Sequence, residues 1–233
     1  MSFSEDSLRY PMESDEWVKT VIIGGLLGLF SFLIVPAILV SGYVVRAIRE
    51  RAGGATEPPV FDEWGDLLVD GLKATVIGLV YMIIPVGVFV LTVGTAIMGF
   101  LTGTDAGAGL GMASLLGGFV ISGILSLVFG YFAVAAIVNF ACEDSLGAAF
   151  DIGALRKLAL SSDYAVPWLI SVGIFFAAGI AVSVLNVVPG LGAVIGPFFS
   201  FYAYIVAAEL WAGGYNDVMK RSDETEPSAA AAV

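Results

Sequence analysis

Four long stretches of this chain carry no charged residue: 21–45, 74–104, 106–142 and 164–208. A helix needs about 20 mostly apolar residues to cross roughly 30 Å of hydrocarbon, so each of the first three stretches has room for one crossing. The fourth has room for two, with a turn at Asn186-Val187-Val188-Pro189-Gly190-Leu191-Gly192, a run of helix-breaking residues. The pattern predicts spans at 21–45, 74–101, 112–140, 165–186 and 193–213. That is an all-α, polytopic transmembrane helix bundle of about five spans. Residues 1–20 form an acidic segment, 21–220 the transmembrane domain, and 221–233 (ending SDETEPSAAAAV from Ser222) a disordered tail.

Two polar segments between spans carry a helical period of their own. In 61–73, Phe61, Trp64, Leu68 and Leu72 share one face, with Asp62, Asp66 and Asp70 opposite. Pro58 and Pro59 precede this segment, and Asp62 is placed to cap it. It is expected to be an amphipathic helix lying in the interface. A fainter version surrounds Phe150, Ala154, Leu155 and Leu158, with Asp151, Arg156 and Lys157 outside.

Charge adds an orientation. Arg46, Arg49, Arg51 and Lys73 fall between spans one and two, Arg156 and Lys157 between three and four, and Lys220 and Arg221 after five. Only Arg9 and Lys19 fall on the other side. The positive-inside bias then predicts a multi-pass protein of the cell membrane, with an external N-terminus, a cytoplasmic C-terminus and cytoplasmic interfacial helices. Lys19, next to the first span on the external side, sits awkwardly with this.

The pair Gly-Tyr recurs at 42–43, 130–131 and 214–215, each near the exit of an inward-running span. Phe-Asp follows the first glycine by nineteen residues and the second by twenty, at Phe61-Asp62 and Phe150-Asp151. These spacings predict an internal parallel repeat of span, interfacial helix and returning span, present twice and then truncated.

Composition narrows the setting. There are 21 acidic and 10 basic residues, for a net charge of -11. Such an excess keeps a surface solvated where salt screens self-repulsion, which fits a halophilic source. The acidic start lacks the basic flank of a cleavable signal peptide. A lone cysteine, Cys142, allows no internal disulfide.

GGLLGLFSFLIVPAILVSGYVVRAIRE (24–50) and FDEWGDLLVDGLKA (61–74) resemble the archaeal membrane proteins grouped as domain of unknown function 4013. The carrying features are Pro36 in a glycine-rich first span, Gly42-Tyr43, Arg46 and Arg49, the Phe61–Trp64–Gly65–Gly71 pattern, and Ser162-Asp163-Tyr164. The resemblance implies an archaeal membrane protein and no activity, so no site residue follows from it.

Candidate chemistry is sparse. With no histidine there is no His-based zinc site and no Ser-His pair, and no P-loop or nucleophile elbow is present. No catalytic, cofactor-binding or metal-binding residue is expected. Asp62, Asp66 and Asp70 spread over about 12 Å of helix, too far to share one ion. Glu209, inside the last span beside Trp211, is the one functional candidate, since ionisable groups in spans are costly. The spaced pairs Gly24/Gly28, Gly107/Gly111 and Gly192/Gly196 allow close helix contact, within the chain first and in an oligomer second. Pro36, Pro85 and Pro197 can kink their spans. The expected partners are the lipid bilayer, and a homo-oligomer or other membrane proteins, with no nucleic acid. The reading is a non-enzymatic membrane component with a scaffold or assembly role. The alternative is a transporter or channel for a neutral or lipidic small molecule.

Overall fold

The computed structural model describes residues 5–225, with side chains from 7 to 221. Eight α-helices occur among them: α1 (Glu5–Arg9), α2 (Trp17–Leu29), α3 (Ile34–Ala52), α4 (Trp64–Leu101), α5 (Asp105–Glu143), α6 (Ile152–Ala159), α7 (Ser162–Leu185) and α8 (Leu191–Thr225). Four of them, α4, α5, α7 and α8, are long and apolar enough to cross a membrane. The rest of the expected disordered tail, 226–233, lies outside the described residues.

The chain divides into two compact units, Met1–Thr75 with Ala135–Val233, and Val76–Val134. In the larger unit α8 is the central helix. Helices α1, α2, α3, α6 and α7 all pack on it. Its buried positions include Ala203, Ala207, Ala208 and Ala212, whose small side chains let several helices approach at once. The smaller unit is a helical hairpin joined at Gly103, whose φ of 65° suits glycine. Gly99 faces Gly107 and Gly111 across it, and the Ser114 hydroxyl donates to the Thr92 carbonyl at 3.0 Å.

The expected first span, 21–45, is not one helix. Helix α2 stops at Leu29 and α3 starts at Ile34. Pro36 permits this break without forcing it, since Pro85 lies within the unbroken α4. Inside a helix its ring crowds the carbonyl four residues back, whereas in the first turn of a new helix its missing N–H is no loss. The two helices run in opposite directions along α8. On α2, Gly24 meets Phe201, Gly25 meets Phe198 and Gly28 meets Pro197, so the order is antiparallel. On α3, Tyr43 meets Phe201, Arg51 reaches Glu209 and the Ala52 carbonyl accepts from Asn216, so the order is parallel. Helix α2 is only about 20 Å long, too short to cross. Together α2 and α3 form a helical hairpin, with an apolar tip around Phe32 and Ile34 that is exposed in the protein alone.

The interfacial helix expected over 61–73 is also not separate. Residues from Trp64 onward are the first turns of α4, which continues to Leu101 without a break. No glycine-proline punctuation or capping residue separates Lys73 from Ala74. The fainter amphipathic pattern does make its own helix, α6. Asp151 caps it through Gly153 and Ala154, and Ser161 caps α7 immediately afterwards. The order of long helix, short helix and returning long helix appears as α5, α6 and α7, while no separate short helix stands between α3 and α4. The three Gly-Tyr markers also differ in setting. Gly42 presses on Leu67 and Gly214 on the backbone of Asp163, while the nearest atom to Gly130 is the Met82 methyl at 3.9 Å.

Candidate functional site

The last turns of α3 carry Arg46, Arg49 and Arg51. At about 100° per residue these offsets point three ways around the helix, and each arginine reaches a different set of partners. Arg46, only 10% exposed, pairs with Asp62 and lies 3.5 Å from Glu63. Arg49 pairs with Asp70 at 2.6 Å and with Asp144 at 2.9 Å, and its Nε donates to the Ala141 carbonyl at 3.1 Å. Arg51 pairs with Glu209 at 3.2 Å, and its guanidinium lies over the Tyr10 ring at 5.3 Å. One short stretch of α3 therefore ties together the N-terminal segment, the start of α4, the end of α5 and the middle of α8.

Two acids in this cluster hold unusual backbone. Glu63 has a φ of 43° and Asp144 a φ of 48°, the only non-glycine positive values among the described residues. Both sit just outside a helix end, and both carboxylates face an α3 arginine. The left-handed conformation costs a side-chain-bearing residue free energy.

Next to the arginines lies an aromatic stack. Tyr43 is fully buried, with its ring 4.5 Å from that of Phe61, and its hydroxyl donates to the Pro59 carbonyl at 2.9 Å. Phe61 also meets Trp64 and Phe201. Glycine makes the approach behind it workable: a Cβ on Gly42 would overlap the Leu67 carbonyl, and one on Gly71 would overlap that of Ile38.

Glu209 is 6% exposed. Its Oε1 accepts from Arg51, and its Oε2 is buried without a hydrogen-bond partner. The Tyr10 hydroxyl, likewise buried and unpartnered, is pushed above its ordinary pKa by desolvation and stays neutral at physiological pH. Nearby, the Trp211 indole donates to the Ser171 hydroxyl at 2.9 Å. Asp62, Asp66 and Asp70 do not act together. Asp62 and Asp70 go to different arginines and Asp66 is exposed. Among the described residues no group of three or more Cys, Asp or Glu side chains is placed to share an ion.

The face expected to be apolar on 61–73 stays exposed at Trp64, Leu68 and Leu72, while Leu67 and Gly71 face α3. Asn139 donates to the Ala148 carbonyl at 2.9 Å, and Asn186 ends α7. The three spaced glycine pairs all make contacts within the chain. The arginines count in the sequence only as a charge bias. Their i, i+3, i+5 spacing is the one signal that they fan outward.

A family model described as Protein of unknown function (DUF4013) matches residues 29–187. No curated protein and no solved structure matches.

Proposed function

The chain belongs to the DUF4013 family, whose description carries no activity, and from that premise we propose that it is a non-enzymatic membrane component with a scaffold or assembly role. The observation carrying this reading is that the ionisable side chains of the α3 cluster are used on one another. Arg46, Arg49, Arg51, Asp62, Asp70 and Glu209 bind helices together through their ion pairs. Glu209 is then a packing group rather than a reacting one. Chemical cross-linking in the native membrane, followed by purification, tests the role. A stoichiometric partner is expected, and a chain recovered only as monomer would count against a scaffold.

A second reading, a transporter or channel for a neutral or lipidic small molecule, is favoured by the α2–α3 hairpin. Re-entrant segments are stable where they are buried in protein or line a cavity. Flux of an uncharged solute through liposomes holding the purified chain would establish it and displace the scaffold reading.

The hairpin also supports a proposal for sidedness. Helix α2 returns the N-terminal segment to the end of the larger unit where Arg51 and Glu209 lie. Lys19 opens α2, Lys73 pairs with Asp70, and Arg221 pairs with Asp163 at that same end. On this reading the basic end faces the cytoplasm of the cell membrane, and the N-terminal segment lies there with the end of α8. This proposal differs from the external N-terminus expected from charge bias alone, and it places Lys19 on the basic side. The acidic excess fits a salt-rich source, and the family resemblance an archaeal one.

A further inference from the structure

We propose that the outward face of α6 binds the phosphodiester headgroup of an anionic lipid, with Arg156 and Lys157 as its cationic ligands. The inference rests on the membrane reading of the bundle, but not on the choice between scaffold and transporter.

Helices α5 and α7 are both long enough to span, and they are joined by residues 144–161. A connection this short between two spanning helices lies at headgroup level, and α6 lies within it. One face of α6 is committed to the protein through the buried Leu155 and Leu158. The other carries Ile152, Arg156 and Leu160, four residues apart and so in line, with Lys157 beside them. Ile152 is 80% exposed and Leu160 75%. Two large aliphatic side chains flanking two cations suit neither water nor a protein core. They suit a boundary where the aliphatic groups enter the acyl layer and the cations meet phosphate.

The second observation is electrostatic. Lys19, Arg46, Arg49, Arg51, Lys73 and Arg221 each lie within ion-pair distance of a carboxylate. Arg156 and Lys157, like Arg9 and Lys220, have no such partner among the described residues, although acids outnumber bases 21 to 10 in the chain; only Arg156 and Lys157 stand side by side on one helix. The acids flanking α6 are otherwise engaged. Asp151 Oδ1 accepts from the Gly153 and Ala154 backbone at 2.8 and 3.1 Å, and Asp163 pairs with Arg221 at 2.6 Å. Two cations therefore face outward side by side, with no described carboxylate at ion-pair distance. The competing account is that both cations only stabilise the C-terminal end of α6 through its dipole. That account predicts an effect on stability and none on lipid selectivity.

The test uses the full chain in mixed micelles holding equal phosphatidylglycerol and phosphatidylcholine, with native mass spectrometry of the lipid retained. Preferential retention of phosphatidylglycerol is expected. The double variant Arg156→Gln/Lys157→Gln should lose that preference by on the order of tenfold, with an unchanged unfolding midpoint in neutral detergent. Lys19→Gln, which removes a charge elsewhere, should keep it. If the double variant folds poorly, each single variant should show a smaller loss of the same sign. Equal retention of the two lipids by the unmodified chain, undiminished preference in the variants, or displacement of the lipid by inorganic phosphate would overturn the proposal. A chain that stays soluble without detergent and retains neither lipid would instead overturn the membrane reading.

Discussion

At the scale of single residues, Glu209 and Arg51 matter most. A carboxylate buried in the middle of α8 is tolerated because Arg51 supplies the opposing charge and Tyr10 covers the guanidinium. Removing one partner of such a pair leaves a buried charge, at a cost of about 3–5 kcal/mol. Arg51→Ala is therefore expected to lower the unfolding free energy by about 3 kcal/mol in a denaturant titration in detergent. Glu209→Gln keeps a polar group of the same shape for Arg51 and should cost about 1 kcal/mol. If Glu209 instead had a reacting role, Glu209→Gln would abolish activity while stability held. The sequence singles out Glu209 because a charge inside a span is visible in one dimension. Its partner stands 158 positions earlier and is visible only in three.

At the scale of elements, glycine decides where helices cross. On α3 and α4, Gly42 and Gly71 sit where a Cβ would strike a carbonyl of the facing helix. Gly78, further along α4, has nothing within 4 Å. The same substitution should therefore have opposite signs. Gly71→Ala forces the helices apart and is expected to cost about 1–3 kcal/mol or block folding. Gly78→Ala gains helix propensity and should stabilise by up to about 1 kcal/mol. Thermal unfolding of the two variants beside the parent chain checks both. The amphipathic segments teach a related lesson. The stronger pattern, at 61–73, is absorbed into α4, and the weaker, near 150–158, forms α6. Periodicity reports which face is apolar. Where a helix stops depends on breakers and caps, and these stand at Asp151 and Ser161 but not at Lys73.

At the scale of the whole molecule, the proposed sidedness makes the hairpin a segment that does not cross, with both ends of the chain on one side. With Cys142 replaced by Ala, a cysteine at Asp15 and one at Lys220 should both label from the cytoplasmic side of inverted vesicles. A cysteine at Asp105, after α4, should label only from the other side. Opposite labelling of Asp15 and Lys220 would restore a crossing first span and remove the hairpin. The net charge of -11 leads to a separate expectation. Raising potassium chloride from about 0.1 M to about 2 M shortens the screening length several-fold, so carboxylate repulsion falls. The unfolding midpoint should then rise, whereas a fall would mean that the exposed ion pairs outweigh the repulsion.

The sequence by itself determined the class of molecule. Long charge-free runs cannot fold as exposed helices in water, so an all-helical, bilayer-spanning bundle follows from composition along one dimension, and α4, α5, α7 and α8 lie where the apolar runs place them. The tertiary structure alone decided that the first run turns back on itself, because Pro36 permits a break but does not dictate which way the chain leaves it. It also decided that three arginines, spaced along α3, hold four distant segments together. The physical reason is range. Hydropathy and helix period act over neighbouring residues, whereas the choice of ion-pair partner and of helix-crossing point is made by segments far apart in the chain and close only once folded.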